Sequence, residues 1–317
     1  LKRLLIISVF FLMLHSSCKK ESIDLLTYEV ASHTTHQLRK VFFVDDSVGY
    51  IVGGSRYEIG IVLQTADGGK TWSQPDSVFP KNIYAAHFFT NGEGFIGGYD
   101  SWWGYTADSG QSFSVTTGDY KPINDLHFYN RSKGVRVSGD GYSEGHISTT
   151  NDGGISWTAS EKLNTMRAAE WVDENIIYAS GYGVIYKSVD GGNSFKPCDA
   201  RGDFFVALDF VSAQVGYFAG HQGMILKTTD GGSSFKKIHP GNAPFGKRLR
   251  WEAIKFWNEN IGYVAGDDGL FYRTENGGDT WQVAQQFTSV NLRSIHLFSA
   301  NDGIVVGDEG KIILFKY

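Results

Sequence analysis

The sequence predicts an all-β fold, a seven-bladed β-propeller, on three observations. A short box of the form hydroxyl-x-Asp-Gly-Gly-x-hydroxyl-aromatic, with small variations, occurs six times, over Thr65–Trp72, Thr106–Phe113, Thr150–Trp157, Ser188–Phe195, Thr228–Phe235 and Thr274–Trp281. A second pattern, an apolar strand followed by a Gly-aromatic strand, precedes each box and occurs once more after the last. The 317 residues include 39 Gly and 6 Pro, and no stretch carries the 3.6-residue period of a long amphipathic helix. The boxes recur at about 40 residues, the length of one four-stranded blade.

The N-terminus differs from the rest of the chain. Lys2 and Arg3 precede the apolar run Leu4–Leu14, and small residues then lead to Cys18. Residues 1–18 read as an export signal of the lipoprotein type, with Cys18 lipidated and opening the mature chain, and residues 19–24 as a short tether. Only Cys198 then remains, so no disulfide within the chain is available and closure must come from strand pairing.

The propeller is expected over 25–317. Its first segment, Leu25–Ala31, is a spare strand, and the seventh strand pattern, Ile295–Phe315, ends where its box should begin. Pairing the spare strand with the last blade completes the seventh sheet and removes two exposed edges. Within each box the acidic or amide side chain (Asp67, Asp108, Asp152, Asp190, Asp230 and Asn276) accepts hydrogen bonds from a tight turn whose glycines supply positive φ, and the closing Trp or Phe starts the next strand. Six equivalent turns read as structural fasteners, with no catalytic residue among them.

Candidate binding residues come from the opposite face, where strand two meets strand three. The connections Gly54–Gly60, Gly98–Gly104 and Gly139–Gly145 are longer than Gly220–Gly223, Gly266–Gly269 and Gly307–Gly310. They carry Arg56, Tyr57, Tyr99, Trp102, Trp103 and Tyr142, the residue types that dominate interface hot spots. Just ahead of each innermost strand stand Arg39, Tyr84, Asn124, Arg167, Val206, Glu252 and Arg293. With Arg248 and Arg250 on a loop expected over Lys236–Trp251, Arg39, Arg167 and Arg293 would form a basic collar at the channel mouth. Three residues further in, Phe42, His87, His127, Glu170, Asp209, Lys255 and His296 are expected to line the channel. His87, His127 and Glu170 are ligand types for a transition metal, but a hydrated polar wall is the reading taken, with no metal and no cofactor. A formal net charge of −5 argues against general nucleic-acid binding.

The pattern apolar-x-Phe-x, then Gly-Tyr-x-x-Gly, then Thr-x-Asp-Gly-Gly-x-Thr-Trp, repeated around seven blades, resembles the photosystem II assembly and stability factor family of Asp-box (BNR) propellers. The match covers nearly all of the mature chain. Members of that family are non-enzymatic helpers that bind a membrane protein during its assembly, and they carry an arginine patch on the ring. Similar propellers occur among exported bacterial proteins that have no photosystem, and the lipoprotein-like signal fits that branch. The resemblance therefore implies a monomeric binding or assembly module, lipid-anchored in the bacterial cell envelope and touching the membrane only through its anchor. Its partner would be an envelope or membrane protein, or a polysaccharide. The alternative is a carbohydrate-binding or glycosidase-type propeller. The Arg-Ile-Pro signature of sialidases is absent, and sialidases have six blades. A glycosidase needs two carboxylates at a defined separation, for which Asp100, Asp140, Glu144 and Glu252 are candidates. No feature of the sequence marks a pair.

Overall fold

A computed structural model describes residues 22–75, 79–118, 121–242 and 248–317. Seven sheets follow one another around a central channel, five of them built from strands adjacent in sequence and the last two each completed by a strand from the N-terminal segment. Blade one holds Gln37–Phe43, Gly49–Ser55 and Ile59–Thr65, with its fourth position reduced to the bridges Gln64 to Ser73 and Gly60 to Phe79. Blades two to five have four strands each.

The ring closes as expected. Strand β2, Leu26–Val30, runs antiparallel to Ile312–Lys316 and supplies the outermost strand of blade seven. Ser22 and Ile23, expected within the tether, instead form strand β1, paired in parallel with Gln282–Ala284 as a fifth strand of blade six. Ile23 has the apolar side chain that a polar tether would lack, and it is buried beside Ala284 and Leu292. Cys18, the signal and the first tether residues lie outside the described residues. The loop expected over Lys236–Trp251 likewise opens with a strand, Lys236–Pro240, the fourth of blade five.

The core lies between blades. Leu38, Val41, Ile51 and Trp72 of blade one pack against Ile304, Val306 and Ile312 of blade seven, and comparable clusters fill the other junctions. The glycine of the Gly-aromatic strand has a packing reason. Gly94 is paired with Phe88, and a Cβ at Gly94 would lie 2.4 Å from the Phe88 ring.

All six boxes fold into the same turn. In the first, Thr71 N–H donates to Asp67 Oδ1 at 2.9 Å and the Thr71 hydroxyl to Asp67 Oδ2 at 2.6 Å. Thr65 Oγ1 accepts from Gly69 N–H at 3.0 Å. Asn276 keeps the acceptor role toward Thr280 N–H and uses its amide to donate to the Thr280 hydroxyl. These bonds favour the ionised carboxylate. The Thr71 hydroxyl, followed by Thr71 N–H and the Thr65 hydroxyl, holds Asp67 at about 2, and Asp108, Asp152, Asp190 and Asp230 sit at about 2 for the corresponding reasons. A folded value below the unfolded one stabilises the fold above about pH 4, and that contribution is lost as pH falls toward about 2. The melting temperature is therefore expected to drop steeply across that interval in a circular-dichroism series. A melting temperature unchanged down to pH 2 would remove this role from the boxes.

Candidate functional site

The innermost strand of every blade carries a β-bulge, at Leu38/Lys40, Ile83/Ala85, Ile123/Asp125, Met166/Ala168, Phe205/Ala207, Trp251/Ala253 and Leu292/Ser294. The extra residues are Arg39, Tyr84, Asn124, Arg167, Val206, Glu252 and Arg293, the expected collar. Strict alternation would turn positions three apart, such as Arg39 and Phe42, to opposite faces. The bulge resets the register and brings both to the channel. All fourteen collar and wall positions line a cavity of about 630 Å³.

The wall residues fasten one blade to the next. Innermost strands are sheet edges, so their backbone N–H groups need acceptors from elsewhere. Phe128 N–H donates to His87 Nδ1 at 3.4 Å, and Trp171 N–H to His127 Nδ1 at 3.1 Å. Phe210 N–H donates to Glu170 Oε2 at 3.2 Å, and Phe256 N–H to Asp209 Oδ2 at 2.7 Å. One level nearer the mouth, Ala169 N–H donates to Asp125 Oδ2 and Val41 N–H to Ser294 Oγ. Lys40 of blade one also pairs with Asp125 of blade three, spanning blade two. Lys255 pairs with Asp209. The sequence had marked the wall as polar, but its role as an acceptor ring was missed, because only the facing backbone of the next blade reveals it.

This geometry also fixes the histidines. With Nδ1 accepting, each neutral ring carries its proton on Nε2, which leaves that nitrogen no lone pair for a metal. Burial, then the charges of Lys40 and Lys255, lowers His127 to about 3, and burial with His127 and Lys40 nearby puts His87 well below its ordinary value. Among the described residues no group of three His, Cys, Asp or Glu converges as a metal site. Burial, and then the adjacent Asp209, raises Glu170 to about 8. A carboxyl that keeps its proton in the fold up to pH 8, but loses it when unfolded near 4.5, makes the fold progressively less stable across that window. Glu170→Gln retains an acceptor for Phe210 N–H, so it is expected to melt higher than the wild type at pH 8 and equally at pH 4. Equal melting at both values would place a charged Glu170 in the wall.

The collar is divided electrostatically. On blades six and seven, Arg293 forms a two-pronged pair with Asp308, with bonds of 3.0 and 2.8 Å, and meets Glu252 at 3.0 Å. Arg250 lies 3.2 Å from the same Glu252 and 3.4 Å from Asp267, and His221 Nε2 lies 3.2 Å from Glu252. Burial would raise Glu252, but His221, Arg293 and Arg250 outweigh it and hold the carboxyl at about 2. Arg39 and Arg167, on blades one and four, have no carboxylate within ion-pair distance among the described residues. Arg39 lies over the Tyr84 ring at 4.3 Å, and Arg167 donates to Asn124 Oδ1 at 3.2 Å and faces Phe204 at 5.5 Å. The Nε of each is buried with no hydrogen-bond partner. Burial pulls both guanidiniums below their ordinary value.

The sequence pattern of one family, described as photosynthesis system II assembly factor YCF48, matches residues 22–170 and 200–289. The chain belongs to the YCF48 family. Among solved structures, the fold is similar to a YCF48 bound to a D1 peptide, with a TM-score of 0.72, 20% identity, and 94% of this chain and 98% of that one covered. It is also similar to YCF48 from Cyanidioschyzon merolae, with a TM-score of 0.69, 20% identity, and 92% and 98% covered. No curated protein sequence matches the chain.

On this YCF48-type ring the long loops of blades one to three do not all reach solvent. Trp102 is 2% exposed and stacks on Phe79 at 5.4 Å, so it belongs to the core and offers no open face. Trp103 is half-buried, stacked on Phe95 at 4.9 Å and edge-on to Trp157. Their consecutive positions at the start of a strand send the two rings to opposite faces of blade two, each into a blade junction. Tyr57 and Tyr142 are exposed, and Arg56 sits against Tyr57 and Tyr99, 3.7 Å from Asp140. Two aromatic residues were missed, Phe204 beside Arg167 and Tyr182 packed on Phe204, because neither belongs to a recurrent motif and their proximity to Arg167 comes from the fold. The four candidate glycosidase carboxylates are all engaged: Asp100 with Lys81, Glu144 with Lys121, Asp140 with Arg56, and Glu252 with Arg250, Arg293 and His221.

Proposed function

We propose that the protein is a non-enzymatic binding factor that captures a polypeptide partner at the channel mouth, using Arg39 and Arg167 to hold an acidic group or terminal carboxylate of that partner. One observation carries this reading: two half-buried guanidiniums, each with a buried and unpartnered Nε and neither with a carboxylate partner among the described residues, stand at a mouth where Arg293 and Arg250 are already neutralised. An anion supplied from outside would give both guanidiniums the counter-charge they lack, and charge-assisted bonds of this kind are among the strong ones. A rigid ring adds little ordering cost on binding. That a YCF48 structure contains a bound D1 peptide supports a peptide ligand here.

We place the protein at the bacterial envelope, lipid-anchored through Cys18, with an envelope or membrane protein as partner. The apolar run before Cys18 supports that reading. A cross-linked pull-down of the lipidated protein from its native envelope tests it. Recovery of one membrane protein supports the proposal, and recovery of polysaccharide alone would overturn it.

A further inference from the structure

Two aromatic tracks lead to the two unpaired arginines, and they differ in whether a cation lies over their tyrosines. The track to Arg39 passes from Tyr57 to Tyr99 at 5.1 Å and on to Tyr84. Its faces are occupied by its own cations: Arg56 lies over Tyr57 and Tyr99, Lys81 over Tyr99, and Arg39 over Tyr84. The track to Arg167 passes from Tyr142 to Tyr182 at 5.0 Å, and from Tyr182 to Phe204 at 5.0 Å, with Arg167 then 5.5 Å from the Phe204 ring. Tyr142 is 69% exposed and Tyr182 is 40% exposed. Among the described residues no cation lies over either ring.

We infer that this second track, Tyr142–Tyr182–Phe204, is a stacking ridge that gives the mouth its specificity. It would accept an extended peptide whose carboxylate lies at Arg167 and Arg39 and whose preceding residues present proline or aromatic side chains to the tyrosines. The inference rests on the collar reading and deepens it. Charge fixes the direction: Arg167, which has no carboxylate partner among the described residues, lies at the inner end of the ridge beside Phe204, so the anionic end of the peptide points inward. The three steps from Tyr142 to Arg167 match roughly four or five extended residues. Flat, rigid rings recognise proline and aromatic side chains because both bring large apolar faces at small entropic cost.

The test uses an array of randomised nine-residue peptides, synthesised once with a free C-terminal carboxylate and once amidated, probed with the wild-type protein, with Tyr142→Ser plus Tyr182→Ser, and with Arg39→Gln plus Arg167→Gln. Both tyrosines lie at the surface, so the double serine variant is expected to fold, and circular dichroism checks it. The wild type is expected to select free-carboxylate peptides with proline or aromatic residues in the five positions before the terminus. The serine variant should keep the carboxylate requirement, lose the proline and aromatic preference, and bind the selected peptides about tenfold more weakly. Selection of carboxylates with no such preference by the wild type would overturn the ridge and leave the collar. No difference between free and amidated peptides would overturn the collar and the ridge with it. Binding to a parallel array of polysaccharides, abolished by the serine pair while no peptide is selected, would assign the ridge to glycans instead.

Discussion

Reversing the charge of Arg39 and Arg167 together is expected to abolish partner capture while leaving the ring folded. Among the described residues the two guanidiniums have no ion-pair partner to orphan, and each has a buried Nε that gains nothing from the fold. Their burial already opposes the charged form. Replacing them by glutamate removes two charge-assisted hydrogen bonds, worth about 1.5–3 kcal/mol each, and adds repulsion toward the partner's anion. Affinity is expected to fall at least a hundredfold. The milder Arg39→Gln plus Arg167→Gln variant removes the attraction without the repulsion and guards against an effect of misfolding.

Arg293→Glu makes the contrast. It would place a fourth carboxylate beside Glu252, Asp267 and Asp308 in a half-buried site, so it is expected to fail in folding and to say nothing about binding. The comparison is read by melting temperature and by quantitative pull-down at two salt concentrations, because a charge-driven capture weakens with salt. Undiminished capture by a folded Arg39/Arg167 double variant would end the collar proposal.

Much of this architecture was legible because repeats put the same residue types at the same places seven times. The boxes exposed the turns, and the spare strand at Leu26 and the missing strand after Phe315 implied each other. The collar and wall positions were also legible, since recurrent polar residues in otherwise apolar strands have few places to go. Partnership was not legible. Whether Arg293 is free or neutralised depends on Asp308 and Glu252, which are remote in sequence from one another, and the sequence grouped Arg293 with Arg39 and Arg167. Trp102 and Trp103 were misread for a related reason: a long loop rich in aromatics looks the same in sequence whether its rings face water or a blade junction. Tyr182 and Phe204 carry the opposite lesson, since their contribution comes from where the fold places them, Phe204 beside Arg167 and Tyr182 on Phe204, and not from any local motif.

Deleting the chain through Ala31 is expected to have the largest effect on stability. Strand β2 contributes five residue pairs, from Leu26 with Lys316 to Val30 with Ile312, and covers the edge of a strand in which Ile312, Ile313 and Phe315 are almost fully buried. Val30 packs into the junction between blades seven and one, and Lys311 pairs with Glu29 at 2.7 Å. At about 1 kcal/mol net for each ladder hydrogen bond, plus the lost apolar burial, the deletion removes on the order of 5 kcal/mol. That is comparable with the whole stability of many domains. It also exposes an apolar strand edge, which favours aggregation. Relocation separates pairing from chain length. Moved behind Tyr317 through a short glycine-rich turn, Leu25–Ala31 would follow Ile312–Lys316 as the fourth strand follows the third in blades two to six, antiparallel and in the same place. The truncated protein is expected to aggregate or to melt well below the wild type, and the relocated one to regain most of the lost melting temperature. A truncated ring that melts within a few degrees of the wild type would show that blade-to-blade packing alone closes the circle. Failure of the relocated strand to rescue would trace the loss to β1 and its seat on blade six.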